Sequence, residues 1–121
     1  MVERISINTL ERLMIGNVGE NATCIVKFYS NKCHLCHALK DTYELIAEEY
    51  KDNESVYFFA FNTDDVMNIA EYVDVNGTPS FCAIDTSGKN KISVLKDPPA
   101  PHPDTWFTAR QIRRFIERTR K

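Results

Sequence analysis

The chain has 121 residues, four of them cysteine, with 43% apolar and 26% charged residues and a formal net charge of −2. That length suits one domain over residues 1–121, and the composition excludes a disordered chain. So small a net charge marks out neither nucleic acid nor an acidic surface as a partner.

The first 24 residues, MVERISINTLERLMIGNVGENATC, carry charges throughout. They lack the apolar stretch and small-residue cleavage site of a secretory signal, and no run in the chain is long enough to span a membrane. A cytoplasmic location is expected. Stable structural disulfides are rare there, so the cysteines are expected to be reduced, metal-bound or catalytic.

In chain order, residues 8–15 read as a short helix. Asn8 is placed to cap it, Glu11 reaches back, and Leu10, Leu13 and Met14 share a face. Cys24–Tyr29 is a β-rich run, read as a buried strand. A helix follows, with Leu35, Leu39, Tyr43, Ile46, Ala47 and Tyr50 at helical spacing. Val56–Phe61 reads as a second buried strand, and Thr63–Tyr72 as a helix whose inner face is Val66, Ile69 and Ala70. Asn76-Gly77-Thr78-Pro79 is turn chemistry. Ser80–Asp85 is a strand, Thr86-Ser87-Gly88-Lys89 a hairpin turn and Lys91–Leu95 its partner. The last helix opens on a capping box of Thr108 and Gln111, with Phe107 set to staple onto Ile112. This order predicts a mixed sheet with helices on both faces.

The chemistry concentrates in Cys33-His34-Leu35-Cys36-His37. The pattern C-x-x-C-H has three readings: a haem attachment, half a zinc site, or a redox dithiol. Haem attachment needs an export context and usually a distal ligand. Zinc needs about four ligands, and Cys33, Cys36 and either His34 or His37 supply three. Cys24 and Cys82 lie inside strand runs, without knuckle spacing, and read as small buried hydrophobes. His102 reads as an exposed histidine in a proline-rich loop.

The β-α-β-α-β-β-α order, with C-x-x-C at a strand-to-helix junction, resembles the thioredoxin fold. The residues that carry the resemblance are Phe28-Tyr29-Ser30, Cys33-His34-Leu35-Cys36 and Gly77-Thr78-Pro79. It spans roughly Leu10 to Thr119. It implies an α/β fold with a central mixed sheet of four to five strands flanked by about four helices. It also implies a thiol–disulfide oxidoreductase that reduces protein disulfides without a cofactor. Cys33, at the helix start, is the expected nucleophile. Unpaired N–H groups and the helix dipole there favour a thiolate, and a pKa near 7 makes about half the thiol reactive at neutral pH. Cys36, one turn on, is expected to resolve the mixed disulfide. By resemblance Pro79 is cis, and the backbone of Thr78, beside Gly77, pairs with an extended substrate. The partners implied are protein disulfides and a thioredoxin-reductase-type or glutathione reductant. The protein is expected to be a monomer serving electron transport and redox homeostasis.

Four departures from the family pattern stand out. Lys32 replaces the tryptophan before the first cysteine. His34-Leu35 replaces Gly-Pro, and a protonated His34 would stabilise the Cys33 thiolate and make the disulfide more oxidising. Lys27 stands where the family has a buried acid that accepts the second thiol's proton. It is either a base, a charge stabilising a thiolate, or a stem packed on the strand with its amine reaching water. Lys96–Trp106 holds four of the five prolines and reads as an extended, stiff loop. Trp106 is either a wall of the substrate groove or an anchor against the last helix. Arg110, Arg113, Arg114, Arg118, Arg120 and Lys121 give that helix a basic face, read as solvated, with no aromatic set for nucleic acid. The alternatives to a reductase are a binding scaffold, for which Lys27 and Lys32 argue, and a disulfide oxidase or isomerase.

Overall fold

The computed structural model describes residues 2–16, 18–87 and 91–120. The strands are β1 (Val2–Arg4), β2 (Thr23–Tyr29), β3 (Val56–Asn62), β4 (Ser80–Asp85) and β5 (Ile92–Val94). The helices are α1 (Ile7–Met14), α2 (His34–Glu49) and α3 (Ala109–Thr119). The sheet order is β1-β3-β2-β4-β5. β1, β3 and β2 run parallel, and β4 and β5 are antiparallel to their neighbours. This is the mixed α/β sheet that the resemblance implies.

β2 lies at the centre, and all but its last residue are buried. A strand covered on both faces reads as a continuous apolar run, which is why the period-two alternation is absent from its sequence. Alternation survives in which layer each side chain joins. Ile25 packs with Leu39, Tyr43 and Ile46 of α2 and Ile112, Phe115 and Ile116 of α3. Cys24, Val26 and Phe28 pack with Leu10 and Leu13 of α1 on the other face. Each fully buried Phe, Ile or Leu contributes roughly 1.5–3 kcal/mol of hydrophobic stabilisation.

Three local expectations are corrected, and one strand is added. α1 starts at Ile7, and Ser6 rather than Asn8 caps it, its Oγ accepting from the Thr9 N–H at 3.2 Å. Ile5 and Leu10 flank this cap inside one core cluster, the spacing of a hydrophobic staple. The staple fixes where the helix begins, which Asn8 and Glu11 did not reveal. The charged segment Val2–Arg4 forms an edge strand because β3 offers it a ladder, with the Ile5 N–H continuing to the Ala60 carbonyl.

Residues 63–72 are not an α-helix but two 3₁₀ turns, Thr63–Asp65 and Ile69–Glu71. The side chains of Asn62 and Asn68 accept from the N–H groups of Asp64 and Ala70. The Asn68 bond takes an N–H that a continuous helix would give to the Val66 carbonyl, and it competes with propagation, whereas Asn62 stands at a helix cap position. Three α-helices therefore flank the sheet among the described residues, not four. The proline-rich loop is folded back rather than extended. His102 and Trp106 exchange both backbone hydrogen bonds, at 3.0 and 2.9 Å, and close a short loop.

The expected hairpin turn after β4 includes Gly88 and Lys89, which lie outside the described residues, as does Lys121 of the basic terminus. No described helix is long and apolar enough to cross a membrane. The capping box of α3 forms as expected, with Thr108 and Gln111 bonding reciprocally. Thr108→Ala removes one half of it and is expected to cost about 1 kcal/mol in urea denaturation.

Candidate functional site

β2 ends at Tyr29, and a loop of four residues returns the chain to α2. Cys33 is the N-cap of α2 and is disulfide-bonded to Cys36. Their Cα atoms are 5.3 Å apart, the spacing that one helical turn provides. The Cys36 N–H points at the Cys33 sulfur at 3.1 Å. This is an N-cap bond in which sulfur takes the place of the usual side-chain oxygen. Cys36 is 2% exposed, whereas Cys33 is half-buried at the rim. His34 is exposed on the first turn.

The loop is held by groups that the sequence did not single out. Asp64 accepts from the Ser30 hydroxyl at 2.9 Å and from the Asn31 N–H at 3.0 Å. These bonds, the backbone one foremost, hold its carboxyl below the ordinary range. Asn62 donates its side-chain N–H to the Asn31 side-chain oxygen, and Thr63 donates to the Tyr29 carbonyl. His37 donates from Nε2 to the Asn31 carbonyl at 3.0 Å. The same Asn62 that caps the first 3₁₀ turn thus sets a clamp over residues 29–31. Its one sequence signal was the Asn-Thr-Asp-Asp cluster after a strand.

The Thr78–Pro79 bond is cis, and Pro79 is buried. The Ser80 hydroxyl donates to the Gly77 carbonyl. Ser80 pairs with Phe28 across the sheet, and Tyr29 pairs with Asn62. The Gly77–Pro79 loop, the Asn62–Asp64 clamp and the Cys33 loop therefore leave the sheet at one end. Trp106 sits in the loop after β5, which leaves the sheet at this same end because the Leu95 N–H donates to the Phe81 carbonyl. It is half-buried against the cluster under α2 and α3, and its indole N–H donates to Asp97 at 3.0 Å. Its φ of 67° is a strained value for a bulky residue, held by the His102 pairing.

Lys27 is 5% exposed, on the strand face beneath α2. Its amine is turned to the backbone of α2. Nζ donates to the Cys36 carbonyl at 2.9 Å and lies 5.9 and 6.0 Å from the ring centres of Tyr29 and Tyr43. A cleft of about 330 Å³ is lined by Lys27, Cys36, His37, Lys40 and Glu44 among others. Burial pushes the Lys27 pKa down to about 8; Glu44 opposes the shift and Lys40 adds to it.

Cys24 and Cys82 are free, 3% and 0% exposed. Burial raises the Cys24 thiol to about 12 and pushes Cys82 up as well. They are the small buried hydrophobes that their strand positions suggested. On α3, Arg113 pairs with Glu49, Arg120 with Glu117, and Arg118 lies over Phe115.

A family model described as Thioredoxin matches residues 13–98. The chain is 31% identical over 70 residues to a thioredoxin of Borreliella burgdorferi, covering 58% of each protein. It is 26% identical over 106 residues to the chloroplastic thioredoxin-like protein CITRX of Solanum tuberosum, covering 80% of this chain and 58% of the relative. The chain thus spans less than two-thirds of the length of these relatives. Among solved structures, chloroplastic thioredoxin z superposes with a TM-score of 0.70 at 21% identity, covering 98% of this chain and 93% of that one. The thioredoxin of Malassezia sympodialis does so with a TM-score of 0.69 at 17% identity, covering 98% and 92%.

The pKa of Lys27 sets a stability test in the oxidised protein. Its folded value of about 8 lies below the ordinary 10.5, so the fold disfavours the charged amine. Between these values the unfolded chain binds more protons, and wild-type stability rises with pH across that window. Lys27→Met is expected to be the more stable protein at pH 7. The advantage is on the order of 2–3 kcal/mol, less the lost hydrogen bond to Cys36. In denaturant titrations the gap should narrow as pH rises from 8 to 10.5.

Proposed function

Because the chain belongs to the thioredoxin family, whose members are generally redox oxidoreductases, we propose that it is a thiol–disulfide oxidoreductase that reduces protein disulfides through a Cys33–Cys36 dithiol. The observation that carries this reading is the Cys33–Cys36 disulfide at the N-cap of α2, with the Cys36 N–H on the Cys33 sulfur. In the reduced protein the same N–H and the helix N-terminus favour a thiolate at Cys33. That thiolate attacks one sulfur of the substrate disulfide, and the other substrate sulfur leaves as a thiolate. Cys36 then attacks the Cys33 sulfur of the mixed disulfide. The Cys33–substrate bond breaks, the Cys33–Cys36 bond forms, and the substrate has gained two electrons.

Exposure supports this division of roles, since Cys33 is reachable at the rim and Cys36 is covered. His34, exposed one residue beyond Cys33, is a second cationic influence on that thiolate when protonated. The Gly77–Pro79 loop, at the same end of the sheet, supports a role for the Thr78 backbone in pairing with an extended substrate. Trp106 extends the substrate surface only if the groove reaches its loop, which is pinned through Asp97. A reductase of the thioredoxin-reductase type, or glutathione, resets the disulfide. In a cytoplasmic pool kept reducing by glutathione the net direction is reduction.

The test is insulin-type disulfide reduction with trapping. Wild type should turn over with a reductant, Cys33→Ser should be inactive, and Cys36→Ser should accumulate a mixed disulfide at Cys33. Activity retained by Cys33→Ser overturns the proposal. A redox titration gives the direction. A potential near or below about −250 mV marks a reductant, and one of about −120 to −200 mV marks an oxidase or isomerase.

A further inference from the structure

We propose that Lys27 is the counter-ion of Cys36: its ammonium holds the Cys36 sulfur as the thiolate that attacks Cys33 in the mixed disulfide. The inference rests on the oxidoreductase reading and adds the group that ionises the second thiol.

Three observations carry it. First, Lys27 is a cation 5% exposed whose charge has no carboxylate within ion-pair distance among the described residues. A buried charge without a partner is costly, and either neutralisation or the arrival of an opposite charge relieves it. Second, the amine is anchored to the residue in question. Nζ donates to the Cys36 carbonyl at 2.9 Å, which uses one of its three protons. Third, the cleft of about 330 Å³ is lined by both Lys27 and Cys36, so a proton leaving this pair has a route out.

The surrounding charges do not supply the missing anion. On α2, Glu44 and Lys40 act on Lys27 in opposite directions, and His37 is turned to Asn31. On β1, Arg4 is held by both oxygens of Asp65. Tyr29 and Tyr43 present rings. In the disulfide state Cys36 carries no charge, and the ammonium has only Glu44, beyond ion-pair distance, to offset it. On opening, the Cys36 thiol gives its proton to the neutral Lys27 amine, or to solvent in the cleft when the amine is already charged. Either path leaves the same thiolate–ammonium pair. The thiolate then displaces the substrate sulfur from Cys33, and electrons and protons balance as in the exchange above. With the amine near pH 8 when unpaired, both forms are present around neutrality.

The fully reduced protein is mixed with dithiobis(nitrobenzoate) in stopped flow. The first thionitrobenzoate released reports attack by Cys33, and the second reports Cys36 closing the disulfide. An opposite charge lowers a thiol pKa by about one to three units, so its removal costs roughly tenfold or more in thiolate below that pKa. Lys27→Met is expected to keep the rate of the first phase and slow the second about tenfold at pH 7. The midpoint of its second-phase pH profile should rise by about one unit or more. Lys27→Gln keeps a donor for the Cys36 carbonyl without the charge and should behave like Lys27→Met. It also carries the test if the methionine variant does not fold. A second-phase profile superimposing on wild type in either variant overturns the proposal. Failure of wild type to release the second thionitrobenzoate instead removes the oxidoreductase reading, and this proposal with it.

Discussion

The structure depends on holding the first turn of α2 against the end of β2. A sulfur at the N-cap meets N–H groups that no helix carbonyl can reach. That meeting has chemical value only if the turn does not drift. β2 provides the fixed point: it is the central strand, buried on both faces and laddered to β3 and β4 along its length. Leu39, Tyr43 and Ile46 hold the body of α2 onto the same sheet face as Ile25. Tyr43 also donates from its hydroxyl to the carbonyls of Phe59 and Ile25, joining helix to sheet by hydrogen bonds within an apolar layer.

Packing alone leaves the connecting loop undetermined, and the clamp from residues 62–64 resolves it. Asn62 is buried, and its side chain bonds both to Asp64 and to Asn31. One side chain thereby ends β3, starts a 3₁₀ turn and positions the loop before Cys33. The chain departs from a helix further on, at the extended Val66 and Asn68, and this leaves Met67 between them fully exposed.

What was legible in the sequence follows from how local each signal is. β2, β4, the body of α2 and the α3 capping box are encoded in runs of a few residues, and they form as read. The C-x-x-C motif and the Thr-Pro are also local, so the dithiol and its neighbouring loop were legible through their resemblance to a family. β1 was not legible, because three mostly charged residues become a strand only when β3 offers an edge. The Asp64 clamp was not legible because its partners, Ser30 and Asn31, are more than 30 positions away. The fold-back of the proline loop depends on one residue, Trp106, accepting a positive φ while its indole finds Asp97. Proline content predicts stiffness, but not the point at which a chain turns.

The four cysteines show how far environment outweighs residue type. Cys24 and Cys82 sit in the apolar layer beneath α1, where burial drives their thiols well above the physiological range and leaves them inert. Cys36 is equally buried, at 2% exposure, and by that criterion alone would be as inert. Two things differ around it. Its neighbour at the helix N-cap is a sulfur one turn away, and the buried group beneath it is a cation rather than another apolar side chain. Desolvation opposes both a buried thiolate and a buried ammonium, but it opposes the two together much less than either alone. Lys27 puts a base of opposite charge type where the resemblance implies a buried acid. An acid beneath the second thiol removes its proton and is left neutral beside the new charge. In the arrangement proposed for Lys27, the ammonium is the counter-charge whether the amine or solvent takes the proton.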